Sequence, residues 1–208
     1  MFETITENQA KKILSEGIAP RTKSILATCI FVAMQEAIKT CAKHPELPKS
    51  SRYDAGCQLR FNIDYLIAKF ADEEPLTRIT YSEISGNNST EFVYDSRITI
   101  QVKKHSKYKE LPDQSLNRKI NSLKNQGNLF EDMITGYCIV TYNHKNFECS
   151  YIQIGVPDAE YTTWLATEPL MQYIDIALAE EITKTYSNDL QVVSDENIQK
   201  DFNLAISR

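Results

Sequence analysis

The chain has 208 residues, 42% of them hydrophobic and 25% charged, with few Gly and Pro. That balance supports one sizeable core and excludes a disordered, collagenous or low-complexity protein. The 28 acids outnumber the 23 bases and leave a net charge of −5, which argues against a dedicated high-affinity DNA binder, because phosphate contacts supply most non-specific affinity.

Reading from the N-terminus, MFETITENQAKK lacks the apolar stretch of a signal peptide. Thr6 and Gln9 form a capping-box pattern, and the helix it starts runs through Ala10–Glu16 to Gly17. Pro20 opens a longer helix to about His44. Its centre, SILATCIFVAMQEAI, is apolar nearly all round, which predicts the central core helix. The longest apolar run, Ile25 to Met34, is about half of what a membrane span needs, so no membrane partner is expected. Pro45 and Pro48 mark a loop, and a third helix follows over Tyr53–Ala71, with Leu59, Ile63, Leu66, Ile67 and Phe70 at helical spacing.

After Pro75 the hydrophobic period falls to two. RITYSEI (78–84), EFVY (91–94) and RITIQVKK (97–104) read as strands, with turns at Gly86–Ser89 and Asp95-Ser96. A loop with Pro112 leads to a polar helix, Gln114–Asn125. Two strands follow, Gly136–Tyr142 and Cys149–Val156, around a turn at Asn143–Asn146. Thr167 and Pro169 predict a helix through Tyr186, Leu190–Val193 a short strand, and Ser194 the cap of a last helix ending near Ile206. The order predicts an α+β fold: N-terminal helices on a roughly five-stranded, largely antiparallel meandering sheet, with C-terminal helices. We expect one domain over 1–208, made of a helical part (1–50), an α+β core (51–186) and a C-terminal appendage (187–208). The expected core includes Ile30, Phe31, Met34, Leu66, Val93, Ile98, Ile100 and Ile139.

The cysteines, Cys29, Cys41, Cys57, Cys138 and Cys149, are odd in number, widely spaced and without a CxxC pair. Reduced, unbridged thiols and a cytoplasmic location are therefore expected, with no structural zinc. His44, His105 and His144 have no metal-binding spacing, and no GxSxG, Walker or dinucleotide glycine pattern occurs.

The most unusual segment runs from Arg97 to Gln126. It holds eight basic residues (Arg97, Lys103, Lys104, Lys107, Lys109, Arg118, Lys119 and Lys124) against Glu110 and Asp113. The segment is thus +6 and the remainder −11, a separation that places positive potential on one surface. Lys104, Lys107, Lys109, Arg118, Lys119 and Lys124 are the candidate nucleic-acid contacts. A plainer reading makes Lys103 and Lys104 guards of an exposed edge strand.

The helix–strand–turn–strand–helix order around Glu91, Gln101 and Lys103 resembles the PD-(D/E)xK nuclease core. In that family an acid on one strand and an acid-x-Lys on the next hold a divalent cation and a phosphate-facing lysine. The resemblance implies Glu91 as metal ligand and first catalytic acid, Gln101 at the second acid position and Lys103 as the catalytic lysine. Asp64 or Asp72 would add a further ligand, and Glu83 and Asp95 are competing acids. It implies Mg²⁺ if the chain is a nuclease, and no cofactor otherwise. Glu91 stands where Asp is usual, the preceding Pro is missing, and Gln101 brings no charge to a cation. Two functions follow. One is a nucleic-acid-binding protein, either a divergent Mg²⁺-dependent nuclease or an inactive relative of one. The other is a non-catalytic module whose basic face meets an acidic protein surface, such as a regulator or inhibitor in a bacterial or phage defence or counter-defence system.

Overall fold

The computed structural model describes residues 5–43, 49–73, 78–84, 89–126, 135–145 and 148–184. The Pro45–Pro48 loop, the turn at residues 86–88 and the C-terminal strand and helix expected beyond residue 187 lie outside them.

Thr6 caps α1 (Glu7–Lys12) as its sequence pattern predicts: its hydroxyl accepts from the Gln9 backbone and the Gln9 side chain reaches back to the Thr6 N–H. The chain then widens into a π-helical turn, Ile13–Gly17. The second helix, α2 (Pro20–Lys43), is buried nearly all round between Ile25 and Ile30, so its apolar centre decides its place. It packs on α3 (Lys49–Glu73), which begins earlier than its periodicity suggests.

Six strands form one sheet in sequence order: β1 (Ile79–Ile84), β2 (Ser89–Tyr94), β3 (Ile98–Lys104), β4 (Gly136–Lys145), β5 (Glu148–Pro157) and β6 (Trp164–Pro169). Neighbours are antiparallel except β3 and β4. That parallel pair is joined by a connection carrying α4 (Leu116–Ser122) and a 3₁₀ turn, Leu123–Asn125. The fold is therefore α+β, with six strands among the described residues. The sixth replaces the first turn of the helix expected from Thr167, and α5 starts only at 176–184. Pro169 ends an edge strand here, a place in a sheet where a residue without an N–H is tolerated. β3 lies between β2 and β4, but its pairing with β2 ends at Ile100, so at Lys103 and Lys104 it is paired only with β4.

Strand alternation gives the sheet two unlike faces. On one, Ile98, Ile100, Val102, Cys138, Val140, Ile152, Ile154 and Val156 join Ile25, Ile30, Met34, Ile63 and Ile67 of α2 and α3 in the main core. On the other, Thr99, Gln101 and Lys103 of β3 adjoin Tyr137, Ile139 and Thr141 of β4, and these adjoin Gln153 and Gly155 of β5. A small cluster of Tyr137, Ile139 and Tyr161, with Leu111 and Trp164 against it, is the apolar part of this second face. Phe31 and Val93 are half-buried, unlike the other expected core residues. Among the described residues, Cys29, Cys138 and Cys149 form no disulfide.

Candidate functional site

Two of the three hairpin residues singled out by sequence meet. Glu91 follows the β2–β3 register to a place beside Gln101, and Gln101 Nε2 donates to Glu91 Oε1 at 2.9 Å. Two further residues join them. Asn121 of α4 donates its amide to the same carboxylate oxygen, and the Tyr137 hydroxyl of β4 donates to Gln101 Oε1 at 2.8 Å. Gln101, Asn121 and Tyr137 are buried. Burial, reinforced by Tyr161, pushes the Tyr137 phenol far above its ordinary pKa, so it acts as a fixed donor.

This arrangement does not fit a divalent cation. A hard metal needs clustered oxygen ligands carrying negative charge. Here the Glu91 oxygen faces two amide donors and the Gln101 oxygen faces a phenol. The other candidate acids are engaged elsewhere: Asp64 with Arg60 at 3.9 Å, Asp72 with the Tyr81 hydroxyl at 3.3 Å, and Asp95 with Arg78 at 3.8 Å. Glu83 stands opposite Thr90 in the β1–β2 register. Among the described residues, no group of three or more His, Cys, Asp or Glu is placed to hold a metal.

Lys103 lies two residues along β3 from Gln101, on the same face, and is half-buried. Burial, then the charges of Arg60 and Arg118, bring its pKa down to about 8, with Asp64 opposing. No hydrogen bond or ion pair reaches its ammonium among the described residues. Arg118 donates to the Asp113 carbonyl and stands beside Tyr161. Lys124 donates to Thr99 Oγ1 at 2.9 Å, bringing a third cation to this face.

The other basic residues spread outward. Lys104 points away from this face by strand alternation and lies 3.1 Å from His144 Nε2, whose pKa is lowered by burial and then by Lys104. Lys107 pairs with Glu110 at 2.9 Å, Lys109 lies over the Tyr108 ring, and Lys119 is exposed on α4.

The helix α4 is inverted. Its underside is polar, with Asn121, Ser122 and the following Asn125 buried, while Leu116, Ile120 and Leu123 are 74%, 53% and 47% exposed. Polar staples explain how it stays down. Asn125 Nδ2 donates to the carbonyls of Tyr137 and Pro157 at 3.1 and 2.7 Å, and its Oδ1 accepts from the Tyr137 N–H at 2.7 Å. Ser122 Oγ donates to the Ala159 carbonyl at 2.9 Å.

Sequence reasoning missed Asn121, Tyr137, Thr141 and Gln153. The last carried a faint signal: a glutamine between two isoleucines in a strand that is apolar on either side. No family model, curated protein or solved structure matches this chain.

Proposed function

We propose that this protein binds nucleic acid through the α4 side of its sheet and the adjoining basic segment, and does not cleave it. One observation carries this reading. The Glu91 carboxylate is already engaged by two amide donors, while Lys103, with Arg118 nearby, has no carboxylate in hydrogen-bond contact among the described residues. Such a place favours an anion over a cation. The contact between Glu91 and Gln101 on adjacent strands supports the likeness to a nuclease hairpin, and the neutral Gln101 with the amide-bound Glu91 supports an inactive version of it. Lys119 and Lys124 extend the positive surface outward from Lys103 and Arg118.

The test is anisotropy with single- and double-stranded oligonucleotides across a salt series. Weak binding with steep salt dependence is expected. Charge reversal at Lys119 and Lys124 should flatten the slope of log affinity against log salt by about 0.7–0.9 per lost phosphate contact. Mg²⁺ should produce no cleavage. Failure to bind either form at low salt would overturn the reading.

A second reading has its own observation. The exposed Leu116, Ile120 and Leu123 ridge, with Lys119 on the same helix, suits a protein surface combining apolar and acidic groups. Crosslinking that maps to this ridge, together with no oligonucleotide binding, would favour it.

A further inference from the structure

We infer that the α4 side of the sheet contains an internal site for a tetrahedral oxyanion, a phosphate group, built on the cross-strand row Lys103–Thr141–Gln153. The inference rests on the anion-facing reading of this face but places the ligand across β3, β4 and β5, away from the Glu91 hairpin.

The first observation is where the unpartnered groups lie. The described buried side-chain atoms without a hydrogen-bond partner are both amide atoms of Gln153, Thr141 Oγ1, Arg118 Nε, His105 Nε2 and Trp164 Nε1. Thr141 and Gln153 are direct cross-strand partners, and Lys103 is the β3 partner of Thr141. All three side chains share one face, on strands about 4.8 Å apart. Arg118 comes from α4 above that face, His105 follows at the end of β3, and the Trp164 ring covers Gly155, where an added Cβ would come within 2.7 Å of it. Gln153 is 1% and Thr141 0% exposed. Thr141 neighbours the Tyr151 phenol without a hydrogen bond of ordinary geometry. Buried polar groups are nearly always partnered, and each unpaired one costs stability, so the gathering of several on one face points to a shared ligand.

The second observation is the sign of the charge. Arg118 Nε, Trp164 Nε1 and Gln153 Nε2 are donors, the Thr141 hydroxyl can donate, and only Gln153 Oε1 is obliged to accept. Lys103 adds an ammonium with cationic neighbours. Water would satisfy the hydrogen bonds but leave the repulsion between Lys103 and Arg118 in place. An oxyanion answers both.

Access is from the Lys103 end, since Lys103 is half-buried while Thr141 and Gln153 are closed off. The segment after β3 forms the cover. It is held by the Tyr151 hydroxyl on the His105 and Lys107 carbonyls at 2.6 and 3.3 Å, by Asn143 on the Ser106 carbonyl at 3.4 Å, and by Tyr161 on the Pro112 carbonyl at 3.2 Å. Binding requires this cover to loosen and the Gln153 amide to turn.

The test compares thermal unfolding in inorganic phosphate with that in chloride at equal ionic strength. Phosphate at ten times its Kd should raise Tm by about 2–6 °C. The shift should vanish in Lys103→Gln and Gln153→Met and persist in Lys12→Gln, at an exposed position of α1. Should Gln153→Met fail to fold, Thr141→Val serves, with ³¹P line broadening as a second readout. No phosphate-specific shift, or one that survives both Lys103→Gln and Gln153→Met, overturns the site. Oligonucleotides with and without a 5′-phosphate separate the sources: preference for the phosphorylated end identifies a terminal phosphate as the ligand, and equal binding with a retained phosphate shift identifies the free anion. Oligonucleotide binding without any phosphate shift would overturn the site and leave the proposed function standing. The reverse result would keep the site and remove that function.

Discussion

Among the described residues Lys23 and Lys103, on opposite sides of the sheet, are both drawn out of solvent, and the two are treated in opposite ways. On the apolar side Lys23 of α2 is 2% exposed and reaches both oxygens of Glu168 on β6, at 2.9 and 2.8 Å. The Tyr173 hydroxyl donates to the same carboxylate at 2.6 Å, and its ring lies 5.3 Å from the Lys23 ammonium. On the α4 side the charges acting on Lys103 are Arg60 and Arg118, opposed by Asp64, and no carboxylate bonds it among the described residues. A closed ion pair holds structure together. An open cation with unpartnered polar neighbours leaves interaction energy for something else.

The largest expected effect breaks the closed side. Glu168→Gln strands the Lys23 charge in the core and should cost about 3–5 kcal/mol in urea unfolding, while Lys23→Met combined with Glu168→Leu should recover most of it. If the single variant unfolds like the parent, the two lysines do not differ as described. Next in size is Asn125→Ala, which removes three hydrogen bonds between the 3₁₀ turn, β4 and β5. The cost should be roughly 2–4 kcal/mol, because the Tyr137 N–H and two carbonyls lose their partner.

Lys103 should show the reverse sign. Its folded pKa of about 8 lies below the usual 10.5, for burial first and then for Arg60 and Arg118. From pH 8 to 10.5 the folded protein has released a proton that the unfolded chain still holds, so this group's contribution to stability rises with pH. That contribution is complete above 10.5 and is lost as pH falls through 8. Lys103→Met should therefore raise stability at pH 7 by about 1 kcal/mol, a figure discounted for partial exposure. The difference between variant and parent should shrink from pH 8 to 10.5, which cancels the other titrating groups. A difference independent of pH would mean that packing and not charge is at work. The smallest effect belongs to the outer ridge: Leu116→Ser and Ile120→Ser should change stability by less than about 0.5 kcal/mol, since neither side chain is buried.

Much of the fold was legible because its signals are local. The Thr6–Gln9 cap, the apolar centre of α2 and the period-two strands each declare themselves within a few residues. The sixth strand was hidden because Thr167 and Pro169 also suit a helix start, and only pairing with β5 decides between the two. The Glu91–Gln101 contact followed from strand alternation across a short turn. Asn121, Tyr137, Thr141 and Gln153 did not follow, since their neighbours lie 30 residues away for Asn121 and 36 for Tyr137. The inversion of α4 was not legible either: Gln114–Asn125 reads only as a polar helix, and the asparagine and serine staples that seat it reach residues of β4, β5 and the loop after β5.

The lone parallel pairing has a kinetic consequence. Each antiparallel triplet, β1–β2–β3 and β4–β5–β6, is a meander whose strands meet through local connections. The seam between them joins Ile98 to Gly136, and its closure carries a larger entropic cost than any hairpin in the sheet. Contact order therefore sets a sequence of events, with the two meanders condensing first and docking along β3 and β4 last. Thr99 and Tyr137 face each other across that seam, and the Tyr137 hydroxyl reaches Gln101 over it, so the α4 face comes into being only at the final step of folding.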